Sequence, residues 1–83
     1  MDYSYQPQGV CSREIRFSLE NGKLTNVNFV GGCPGNLLGI SKLVEGQDAS
    51  EIAKRLSGVR CGGKPTSCPD QLARAIQQAL ASK

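Results

Sequence analysis

The dipeptide Asn21-Gly22 lies between two runs of alternating apolar residues, and this constrains the fold more than any other feature of the chain. From Ser12 to Glu20, Ile15, Phe17 and Leu19 point one way while Glu14, Arg16 and Ser18 point the other. Alternation with period two is the pattern of a half-buried strand. Asn-Gly readily takes the left-handed backbone of a two-residue hairpin, so Lys23 to Val30 reads as the return strand. Val27 and Phe29 mark its apolar face. Leu24 is out of phase with them, which predicts a bulge or register adjustment near the turn. Tyr3 and Tyr5 also alternate, in keeping with a short third strand before Pro7.

Beyond Gly31-Gly32-Cys33-Pro34-Gly35 the period lengthens to that of a helix, through Leu37, Leu38, Ile40, Ser41 and Val44, and Gly46 closes it. Pro34 suits a first helical turn. Asp48 reads as the N-cap of a second helix, with Glu51 three residues on. Ile52, Ala53 and Leu56 form its apolar stripe, and Gly58 stops it. The last helix spans about 68–81, with Leu72, Ala75, Ile76, Ala79 and Leu80 as the buried face. Pro69 fits the first helical position, which makes Cys68 the N-cap. Strands come first and helices after. The expected fold is α+β: a small antiparallel sheet with about three helices on one face.

At 83 residues the chain makes one domain, residues 1–83, with a thin core. Such a domain gains from an extra staple, for instance a metal. The net charge of +3 is mild and scattered, without the basic stripe and interleaved aromatics of a nucleic-acid binder. No apolar run approaches the ~20 residues of a membrane span, and Met1 to Pro7 lacks the basic and apolar regions of a secretory signal. The expectation is a cytoplasmic protein that binds neither membrane nor nucleic acid. Its thiols stay reduced there, which argues against a disulfide scaffold.

The chemistry therefore rests on Cys11, Cys33, Cys61 and Cys68, because the chain has no histidine. Each lies at the end of an expected element or in a loop. In a two-layer fold the loops at one end of the sheet and the helix starts facing them converge. Thiols at helix N-termini meet unpaired amides, and Arg13, Arg60 and Lys64 are sequence neighbours, all of which favour the thiolate. The spacing C-x21-C-x27-C-x6-C lacks the paired knuckles of a zinc ribbon. The alternatives are a metal or cluster site using three or four of the cysteines, reactive thiols without metal, and buried structural cysteines. Gly31-Gly32 and Gly62-Gly63 match no phosphate-binding fingerprint and read as tight turns. Asp70 complements the helix dipole. Thr66 and Ser67 read as capping or turn residues, since no histidine exists to activate them.

The run Thr66-Ser67-Cys68-Pro69-Asp70 spells the name of the TSCPD domain family, and the chain resembles that family over nearly its whole length. Cys11, the hairpin, Gly-Gly-Cys-Pro-Gly at 31–35 and Cys-Gly-Gly at 61–63 share in the resemblance. Members resembling this chain are small stand-alone bacterial proteins. Related domains are fused at the C-terminus of some adenosylcobalamin-dependent ribonucleotide reductases. The resemblance implies a ribonucleotide reductase or a redox protein as partner. Reductase activity by the chain alone is not expected, because 83 residues cannot supply the large barrel it needs.

The layout is also similar to iron–sulfur cluster scaffold proteins. In those, one cysteine precedes a strand, a second follows a strand at a helix start, and a third opens the last helix. Cys11, Cys33 and Cys68 fall at the matching places. Where that family has an aspartate and a histidine, this chain has Arg13 and Ser67, and it adds Cys61. A fourth thiol suits a closed site of the kind structural zinc prefers. The expectation is an accessory domain binding zinc or an iron–sulfur cluster through Cys11, Cys33, Cys61 and Cys68. The alternatives are a redox protein cycling Cys61 and Cys68 between dithiol and disulfide, and a scaffold-like cluster carrier.

Overall fold

The computed structural model describes residues 2–10, 12–31, 34–60, 63 and 65–81. Among them, three strands form one antiparallel sheet in the order β1-β2-β3: β1 Asp2–Tyr5, β2 Ser12–Glu20 and β3 Lys23–Gly31. Three helices follow: α1 Pro34–Val44, α2 Ala49–Leu56 and α3 Cys68–Ala81. The architecture is the expected α+β one. No helix among the described residues is long and apolar enough to cross a membrane.

Glu20 pairs with Lys23 across the hairpin turn. Asn21 and Gly22 both have positive φ, 53° and 79°. That handedness matches the strand twist and is the reason Asn-Gly is favoured there. Beyond the turn Leu19 pairs with Leu24. The register then slips: Ser18 faces Thr25, but Arg16 faces Asn28. One extra residue in β3 is the bulge that Leu24 foretold, set farther from the turn than expected. Asn26 carries it with φ 54°, a conformation asparagine tolerates better than most residues. The extra residue switches the alternation, so Leu24 and Val27 both reach the core despite their odd spacing.

A second slip lies at the other end of the hairpin, where Ser12 pairs with Gly31 but Glu14 pairs with Val30. Here the extra residue is in β2. It turns Ser12 from the face of Glu14 and Arg16 toward the helix layer, where Ser12 is buried. β1 adds the third strand, pairing Tyr3 with Phe17 and Tyr5 with Ile15. The Tyr3 and Phe17 rings stack with centroids 5.4 Å apart.

The core lies between the sheet and the helices. Ile15, Leu24, Leu72 and Ile76 are fully buried, joined by Phe17, Leu19, Val44, Ile52, Ala49 and Ala53 of α2, and Ala73, Ala75 and Ala79 of α3. Burying each large aliphatic side chain contributes about 1.5–3 kcal/mol. Asp48 caps α2 as expected, accepting from Glu51 N–H at 3.1 Å. The turn before it covers the outer edge of β3. Leu24 N–H donates to the Gln47 carbonyl at 2.8 Å, and Gly46 N–H donates to the Leu24 carbonyl at 2.7 Å. Asn26 N–H donates to Glu45 at 2.9 Å. These bonds satisfy the edge at the turn-proximal end of β3, where another chain could otherwise pair. Helix α1 departs from expectation at Leu38, which faces solvent while Leu37 and Val44 are buried; Leu43 is exposed too.

Candidate functional site

The N-terminus of α3 gathers what the sequence singled out. Gln71 N–H donates to the Ser67 carbonyl at 2.8 Å, the first hydrogen bond of the helix. Asp70 N–H donates to Ser67 Oγ at 3.2 Å. Ser67 is therefore the N-cap, and Cys68, Pro69 and Asp70 are the first three helical residues. This corrects the expectation that Cys68 caps and Pro69 comes first. A hydroxyl accepts from a helix amide better than a thiol does, and the second helical position, like the first, has no N–H partner for proline to lose. The Ser67 hydroxyl donates onward to the Val59 carbonyl at 2.6 Å, tying the preceding loop to the helix start.

Asp70 is 2% exposed, not turned to solvent as a first-turn acid usually is. One carboxylate oxygen accepts the Gly58 N–H at 2.7 Å. The other accepts the Thr66 hydroxyl and pairs with Arg74 Nε at 3.2 Å. The Thr66 hydroxyl above all, then the Gly58 N–H, hold the Asp70 carboxyl below the usual carboxylate range. Burial opposes them and Arg74 assists. Gln71 is equally buried. Its amide donates to Thr66 Oγ1 at 2.9 Å, and its oxygen accepts the Gln8 N–H at 3.1 Å and the Tyr5 hydroxyl at 3.3 Å.

Cys68 is buried, with Sγ 3.2 Å from Ser12 Oγ. Cys11, Cys33 and Cys61 lie outside the described residues, as do Gly32, Gly62 and Lys64. Among the described residues no group of three or more His, Cys, Asp or Glu side chains is arranged to hold a metal ion. The described chain neighbours of the three cysteines do share one end of the molecule. Ser12, next to Cys11, touches Cys68 and pairs with Gly31, two residues before Cys33. Val59, two residues before Cys61, is bonded to Ser67, next to Cys68.

The family model of the TSCPD domain matches residues 2–80. The chain belongs to the TSCPD domain family. No curated protein and no solved structure matches it significantly. In this TSCPD domain four of the five residues of the eponymous run have visible structural roles. Thr66 bridges, Ser67 caps, Cys68 faces Ser12, and Asp70 anchors. Sequence reasoning missed Ser12 and Gln71. Ser12 reads as a strand residue on the polar face until the bulge beside it is known. Gln71 lies between Asp70 and Leu72, beside the apolar stripe, and nothing in its sequence context marks it as buried.

Proposed function

We propose that this TSCPD domain is an accessory metal-binding module in which Cys11, Cys33, Cys61 and Cys68 hold zinc or an iron–sulfur cluster. The observation that carries the reading is the meeting of chain segments around Cys68: Ser12 at 3.2 Å from its sulfur, Gly31 paired to Ser12, and Val59 bonded to Ser67. Each segment leads within two residues to another cysteine. The Ser12 hydroxyl beside Cys68 is the kind of donor that orients a thiolate ligand from outside the coordination sphere. A metal bound there would crosslink both ends of the chain. In a domain this small its binding free energy adds directly to folding.

The competing reading, a dithiol cycling at Cys61 and Cys68, needs a thiol that a partner's disulfide can reach. Cys68 is 7% exposed, which favours the metal reading. The link to ribonucleotide reduction is part of the same proposal. It rests on the resemblance to domains fused to those reductases and concerns a protein partner, not turnover by this chain.

Anaerobic purification followed by elemental analysis and visible absorption tests the reading. A colourless protein with zinc, or a coloured one with iron and sulfide, is expected. Cys33→Ser, Cys61→Ser and Cys68→Ser should each cut metal content and lower the melting temperature. If these three and Cys11→Ser all keep metal and stability, there is no such site.

A further inference from the structure

Asp70 and Gln71 are buried polar residues that are not themselves thiols, and each reaches away from α3 to a different segment. Asp70 takes the Gly58 N–H at 2.7 Å, where α2 gives way to the stretch bearing Cys61. Gln71 takes the Gln8 N–H at 3.1 Å and the Tyr5 hydroxyl at 3.3 Å, in the stretch leading to Cys11. Among the described residues, Val59 is also held by the Ser67 hydroxyl at 2.6 Å, and Tyr5 by its pairing with Ile15. Gly58, Val59 and Arg60 are exposed, as are Gln6, Gln8 and Gly9. Where apolar burial is thin, local opening is governed by a few hydrogen bonds.

We infer that Asp70 and Gln71 are positioning residues for the thiol site, each latching one cysteine-bearing segment to the helix start that carries Cys68. The latches work separately. Asp70 acts, together with Ser67, on the stretch that leads to Cys61, and Gln71 acts on the stretch that leads to Cys11. Thr66 lies between them, donating to Asp70 and accepting from Gln71. The pairing gives a role to two consecutive polar residues that are buried close to Cys68 in the chain. This inference deepens the metal reading, but its test does not require metal.

The test is mass-resolved iodoacetamide labelling of each cysteine in the reduced, metal-free full chain. Asp70→Ala should speed labelling of Cys61 about tenfold, the worth of one lost hydrogen bond, and leave Cys11 within about twofold. Gln71→Leu should do the converse. Asp70→Asn and Gln71→Glu keep the accepting oxygen and should hold the rise to about threefold. Cys68 reports global unfolding. An equal rise at all cysteines, or none at Cys61 and Cys11, overturns the inference. Should an Ala or Leu variant unfold, its conservative partner decides, by the same selectivity. Zinc uptake by the wild-type protein against a chromophoric chelator is scored apart. Selective labelling without zinc uptake overturns the metal reading and leaves the latches standing. Zinc uptake with unselective labelling does the reverse.

Discussion

Asp70→Asn is the change whose cost can be worked out most fully. The carboxylate accepts from Gly58 N–H at 2.7 Å and from the Thr66 hydroxyl, both in a site 2% exposed. An asparagine can keep its oxygen on Gly58. Its amide then meets Thr66 Oγ1, which already accepts from Gln71, so the hydroxyl must turn its hydrogen elsewhere. One charge-assisted bond worth ~1.5–3 kcal/mol becomes at best a neutral one worth ~0.5–1.5. Loss of negative charge in the first turn of α3 adds about 0.3–1 kcal/mol. The Arg74 partner is 56% exposed and contributes at most a few tenths. The expected loss at neutral pH is about 2 kcal/mol, or roughly 1–2 M in urea midpoint for an m-value of about 1–2 kcal/mol/M.

The sign of the pH dependence follows from the lowered folded-state value of Asp70. The unfolded chain titrates near the ordinary ~3.9. The stabilisation is therefore complete well above that pH, from about pH 5–6 upward, and is lost as pH falls through the folded value. The gap between wild type and variant should narrow steadily below about pH 5. Glu14, held low by the Ser4 hydroxyl and Arg16, titrates in both proteins and cancels in the difference. With no tryptophan present, far-ultraviolet circular dichroism is the probe, in urea series from pH 7 to pH 3 with reductant and chelator. A gap that is absent at pH 7, or unchanged at pH 3, would refute the reasoning.

Three further outcomes are expected. Ile76→Ala, at a fully buried core position, should cost about 2–5 kcal/mol in urea unfolding; a loss under about 1 would mean that α3 does not share the sheet's core. Asn26→Val places a β-branched residue at φ 54° and should cost about 1–2 kcal/mol, whereas Asn26→Gly should be neutral or stabilising in thermal melts. The purified chain, given each ribonucleotide with a dithiol reductant and adenosylcobalamin, should form no deoxynucleotide; stoichiometric product would refute the size argument.

The hairpin was legible because Asn21-Gly22 and the flanking alternation are local signals, and so were the three helices and the Asp48 cap. The mismatch of Leu24 disclosed that a bulge exists. It could not say that Asn26 carries it, since Ser18 to Thr25 pairing is regular up to that point. The second bulge has no such mark, so Ser12 stayed hidden among polar residues. The burial of Asp70 was illegible for a different reason. An acid in a first helical turn ordinarily faces water, and here its partner is the amide of Gly58, delivered by the end of another helix. Pro69 misled the cap assignment because the first and second helical positions suit proline equally on hydrogen-bond grounds. Of the candidate site, only the surroundings of Cys68 can be compared, and its place at the start of α3 was legible.

The sequence distance between α3 and the sheet whose core it completes also shapes how the chain folds. The meander β1-β2-β3 closes short loops and can form early, yet a small sheet with a bare apolar face is at best marginally stable in water. Ile15, Phe17 and Leu24 share their buried cluster with Leu72 and Ile76, about 50–60 residues further along. Closing that distance brings both the core and the Cys68 surroundings into being in one step, so folding should be all-or-none. During synthesis, a nascent chain that stops short of Leu72 presents a strand-rich, apolar surface that α1 and α2 cover only in part. That species, more than the folded domain, is where aggregation and chaperone capture would act.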